Sequence, residues 1–162
     1  MPADTMELAY GVIGEIGADV ADIRIPGERT RLLHLPGADV LLLAGLTVVS
    51  AFFRGLLTGV VAEASQADED LGRGLVYRFT QLITGSDGDV LTDFRQAAAD
   101  AEAALTRLGV AAGALGQYAA GAQAEVAAAL RSLGLRDERV QILAPATTTR
   151  LIGQLHTDLT AT

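Results

Sequence analysis

VLLLAGLTVVSAFFRGLLTGVVA, Val40 to Ala62, carries a single formal charge, Arg54. Wound as a helix, this stretch matches the roughly 30 Å hydrocarbon core of a bilayer. Over Val40–Thr58 its mean hydropathy is about +1.9, a range typical of membrane spans even with an arginine inside. Ala44, Thr47, Ser50, Ala51, Arg54, Gly55, Thr58, Gly59 and Ala62 recur at three- and four-residue steps, so a helix lines them up as one seam of small and polar groups. Ala51, Gly55 and Gly59 form a small-xxx-small run of the kind that lets two helix backbones approach closely. Ala44, Thr47, Ala51, Arg54, Gly55 and Gly59 are therefore the expected helix-packing face. An arginine left unpaired in such a setting is costly, so Arg54 calls for a carboxylate or backbone carbonyls. Glu7, Glu15, Asp19, Asp70 and a residue of another subunit are the candidates.

Two environments satisfy this stretch. It is a bilayer-inserted helix, or it is the central helix of a soluble bundle or tight oligomer, which is also apolar most of the way round. A signal peptide fits less well, because the stretch starts at residue 40 and no clean A-x-A site follows it. Arg24, Arg29 and Arg31 precede it, and Glu63, Asp68, Glu69 and Asp70 follow. If it spans, the excess of basic residues on its N-terminal side places residues 1–35 in the cytoplasm. The expected location is thus membrane-associated or cytoplasmic.

Composition removes several chemistries. At 162 residues the chain has room for one domain with a real core. With no cysteine it has no disulfide framework, thiolate metal site or cysteine nucleophile. Every basic residue is arginine, so a Schiff base, a Walker-A lysine and a lysine general base are all excluded. The absence of lysine and asparagine, both with A/T-rich codons, points to a GC-rich bacterial genome. A net charge of −8 opposes binding to nucleic acid, whose phosphates require a basic face.

The flanking segments read as follows. Asp4 with Glu7 resembles a capping pair opening a helix toward Asp19, although Gly11, Gly14 and Gly17 weaken it. The run GVIGEIG lacks the G-x-G-x-x-G spacing of a nucleotide-binding loop. Partial alternation on either side of Pro26-Gly27 predicts a small β-hairpin over about residues 20–35, with His34 in its second strand. Ser65 with Asp68 opens an amphipathic helix over about 66–84, with Leu71, Leu75, Phe79 and Leu82 on one face. Asp87 and Asp89 follow it without the remaining oxygen ligands of a calcium loop. The alanine-rich residues 89–133 carry two apolar stripes and are expected to form an antiparallel helical hairpin breaking near Gly109 and Gly113. Gly134 reads as a stop and Leu135–Arg139 as a charged loop. Val140–Leu143 reads as a short strand before Pro145, and the threonines at 147–149 as the cap of a last helix within 140–160.

G-x-S-x-G, H-E-x-x-H and P-loop patterns are all absent. His34 and His156 have ordinary roles to hand, and no metal, cofactor or catalytic residue is expected. The expected architecture is a single mainly α domain, a helical bundle around one long apolar helix at about 39–63. The function expected from it is that of a small non-enzymatic, membrane-associated protein that self-associates as an anchor, scaffold or pore-forming element. The alternative is a soluble homo-oligomeric interaction or adaptor module whose apolar helix is buried in the oligomer core.

Overall fold

A computed structural model describes residues 11, 12, 14, 16, 39–62, 66–84, 90–107, 110 and 112–160. Among them the architecture is mainly α, with no strand. The helices are α1 (Asp39–Ala62), α2 (Gln66–Thr84), α3 (Val90–Arg107), α4 (Ala119–Ser132) and α5 (Asp137–Thr160), with a 3-10 segment over Ala112–Tyr118 leading into α4. The β-hairpin expected over residues 20–35, including His34, lies outside the described residues, as does the capping at Ser65 and the turn near Asp87. Of the N-terminal helix only residues 11, 12, 14 and 16 are described; they are helical, and Val12 and Ile16, one turn apart, join the core.

α1 is the hub. α2 and α4 pack along it, α3 lies on α2, and α5 lies on α4. Phe53 stacks on Phe79 of α2, while nearer the connecting loop Val61 meets Gly72, so α1 and α2 run antiparallel. The buried side of α2 is formed by Leu75 and Phe79, with Arg73 and Tyr77 facing water. α3 contributes Phe94, Ala97, Ala98, Ala101, Ala104 and Leu105 to the same core. Arg78 on α2 donates to Asp100 on α3 at 2.6 Å, and Gln96 reaches the other oxygen of that carboxylate at 3.0 Å. The Arg78 hydrogen bond holds Asp100 below the ordinary carboxylate range.

Three expectations are corrected. The alanine-rich segment is not a helical hairpin: α3 packs on α2, and α4 packs on α1 and α5. A tight hairpin needs a connection of about two to five residues, whereas residues 108–118 separate these two helices. The groove of small residues on α1 also accepts α4 more closely than an alanine face would. Residues 140–143 are not a strand, because α5 runs unbroken from Asp137 through Pro145 to Thr160. Pro145 leaves the carbonyl of Gln141 without its usual donor. Val140, Leu143, Ala144, Thr147, Thr148, Leu151 and Leu155 form a continuous buried stripe that outweighs that loss. The charged loop is shorter than expected, since Asp137 and Glu138 already form the first turn of α5, where acidic groups suit the helix dipole.

The α4–α5 turn is built by its own sequence. Gly134 takes a left-handed φ of 94°, its N–H donating to the Arg131 carbonyl and the Leu135 N–H reaching back to the Leu130 carbonyl. Leu130 and Leu135 are both buried, supplying the apolar contact that accompanies this type of helix ending.

Candidate functional site

The packing seam of α1 is occupied by the chain itself. Ala44, Thr47 and Ala51 are buried in the core. At Gly55 a β-carbon would lie 2.6 Å from the Gly121 carbonyl oxygen and 2.8 Å from the Ala122 Cα, so two backbones meet where a side chain would stand. At Gly59 a β-carbon would lie 2.9 Å from the Tyr118 ring. Arg54 donates to Glu125 on α4.

Of the four acidic residues suspected from the sequence, Glu7, Glu15 and Asp19 lie outside the described residues. Asp70 is exposed on α2. The readable signal was that Glu125 is the one acidic residue between Glu102 and Asp137, set on the flank of an apolar stripe. The two side chains retain 25% and 37% exposure, so solvent screens the pair and its worth is about 1 kcal/mol or less. A double-mutant cycle of Arg54→Leu and Glu125→Leu, read by urea denaturation, is expected to give a coupling of about 0.5–1 kcal/mol. Zero coupling would show that the pair is not formed in solution.

A second constellation joins α3 to α5. Glu102 keeps 8% of its exposure and Asp158 5%. They approach closely enough for their carboxyl groups to hydrogen-bond. Gln154 donates to Asp158 Oδ1 at 3.2 Å. Glu102 Oε1 and Asp158 Oδ2 are buried without a hydrogen-bond partner. Burial, followed by the neighbouring Asp158 charge and the hydrogen bond to it, pushes the Glu102 carboxyl up to about 7.

Sequence reasoning passed over this pair because it sought acid pairs by linear spacing. The signal lay in the helix period. Glu102 stands between Ala98, Ala101 and Leu105 of one apolar stripe, and Asp158 follows Leu151 and Leu155 on another, so each is a carboxylate at a core position. Thr148 Oγ1, on the buried side of α5, is likewise buried without a partner.

With both carboxyls shut away from water, the chemistry they support is the holding and release of a proton. Among the described residues, no group of three or more histidine, aspartate or glutamate side chains is close enough to hold a metal ion. His156 is exposed on α5. Comparison with protein-family models, with curated proteins and with solved structures finds no match to this chain.

Proposed function

We propose that this chain is a non-enzymatic helical interaction module that is soluble without lipid, folded around its own span-length apolar helix. One observation carries the reading: 83% of the apolar window Ala44–Ala62 is buried by the other helices of the same chain. A helix enclosed in this way gains its apolar burial from protein. Its seam of glycines serves α4, which leaves the outer faces of α2 and α5 for partners. Among the described side chains, the large apolar ones exposed there are Tyr77 on α2, at 64%, and Ile142 on α5, at 59%. Aromatic and aliphatic groups of this size supply the anchors of most protein interfaces.

Detergent-free fractionation followed by native mass measurement tests the proposal. The protein is expected in the soluble fraction as a discrete assembly that Tyr77→Glu or Ile142→Glu reduces in mass while the helical content is unchanged. A pellet that resists alkaline carbonate would overturn solubility. A monomer unaffected by either substitution would overturn self-association.

The second reading is a membrane-associated protein whose α1 inserts once the bundle opens. It is favoured by the mean hydropathy of 1.6 across the nineteen residues Ala44–Ala62. On this reading Arg54→Leu raises the vesicle-bound fraction by removing the one charge within the inserting stretch. On the soluble reading the same substitution leaves that fraction at its baseline.

A further inference from the structure

We propose that Glu102 and Asp158 form a proton-operated latch joining the C-terminal parts of α3 and α5, closed while one proton is shared between the two carboxyls and loosened when that proton leaves. The inference rests on neither reading of α1. Its basis is the geometry of two carboxyls on different helices, each more than nine-tenths buried, within hydrogen-bonding reach, and each with an oxygen that accepts nothing. Two carboxylates in that position repel in a poorly solvated space. One added proton turns one of them into a donor to the other, satisfying both orphan oxygens at once. The last turn of α5, where Asp158 sits, adds the negative end of the helix dipole, which further disfavours a second charge.

No described cation stands ready to take the proton's place. On α5, Asp158 faces Glu102 and accepts from the Gln154 amide, while His156 is exposed and the Arg150 guanidinium lies against Gly11. From α2, Arg78 is engaged by Asp100, and Arg73 is exposed. From α1, Arg54 is engaged by Glu125. On α3 itself, Arg95 and Arg107 are exposed. A calcium ion would ask for about six to eight oxygens, and the pair with the Gln154 amide falls well short. A proton needs only a donor and an acceptor.

The sign follows from where the proton is held. An unfolded glutamate releases its proton near 4.5, whereas folded Glu102 keeps it to about 7. The folded state therefore binds more protons across that window. The stability contributed by this group is fully present below 4.5, falls as pH rises through the window, and is gone above about 7. At its steepest the folded-to-unfolded ratio drops about tenfold per pH unit, the slope of one proton.

The test is carbon-detected NMR of carboxyl-labelled, full-length protein from about pH 4 to about pH 9, with amide exchange at the ends of α3 and α5 followed in parallel. Glu102 is expected to titrate near neutrality, and exchange at the two helix ends to quicken on the alkaline side beyond the base-catalysed rise of an unstructured amide, that is, with a loss of protection. In Asp158→Asn the Glu102 transition should fall toward the ordinary glutamate range. Glu102→Gln, a neutral amide of the same shape, should abolish the alkaline quickening. Titration of Glu102 together with exposed glutamates would overturn the proposal, and this wild-type readout requires no variant to fold. Alkaline quickening that persists in Glu102→Gln would also overturn it. A titration displaced by millimolar calcium or magnesium would overturn it in favour of a metal site.

Discussion

Phe53→Ala is expected to lower the unfolding free energy by about 3–5 kcal/mol, the usual cost of emptying a buried phenylalanine site. Phe53 is fully buried at the junction of α1 and α2. Its ring stacks on Phe79 with centroids 5.2 Å apart and meets Phe52 edge-on at 5.4 Å. The truncation therefore removes apolar burial together with two aromatic contacts, each worth about 0.5–1.5 kcal/mol beyond area alone. Against a typical domain stability of about 5–15 kcal/mol, this is a large share of the total. Urea denaturation should show a lower midpoint with an unchanged slope. Gln123→Ala, exposed on α4, is the control and should stay within about 0.5 kcal/mol. A loss below about 1 kcal/mol at Phe53 would mean that the soluble form does not hold α1 against α2, and the reading of α1 as an internal core would fall.

How far the sequence reveals this fold depends on the scale of the interaction. The helix at Asp39–Ala62 is legible because apolar character sustained over several turns is a local property of the chain. The same is true of the amphipathic period of α2, where Leu75 and Phe79 fall on the buried side. The pairing of elements is not legible at that level. Alanine stripes on α3 and α4 fit many surfaces, and what assigns α4 to α1 is the mutual approach of Gly55 and Gly121, more than sixty residues apart. Pro145 misleads for a related reason. Its local penalty is plain in the sequence, while the buried stripe that overrides it exists only once α4 is in place. Glu102 and Asp158 stay hidden because a charge at a core position looks like an exception until the second one is seen facing it.

Gly55→Leu is expected to cost about 3 kcal/mol or more, at or above the upper end of overpacking penalties. Even a single β-carbon at this site would stand 2.6 Å from the Gly121 carbonyl oxygen, 2.8 Å from the Ala122 Cα and 2.9 Å from the Glu125 Cγ. The first two are backbone atoms of a helix that is itself seated against α5, so they have no rotamer by which to withdraw. The better helix propensity of leucine over glycine, worth somewhat under 1 kcal/mol, offsets only a fraction. Separating α1 from α4 would also strain the Arg54–Glu125 pair. Gly121→Ala isolates the direction of the contact. Its β-carbon would come no closer than 3.4 Å to the Gly55 carbonyl oxygen, and Gly121 is exposed on its helix, so this change should fall within about 1 kcal/mol of neutral. The asymmetry is the diagnostic measurement. If thermal or urea unfolding shows Gly55→Leu and Gly121→Ala to be equally tolerated, α4 does not occupy the seam in solution, and the groove along α1 is open to another helix or to lipid. If only Gly55→Leu is destabilising, the span-length helix is enclosed by its own chain, and membrane insertion would first have to displace α4.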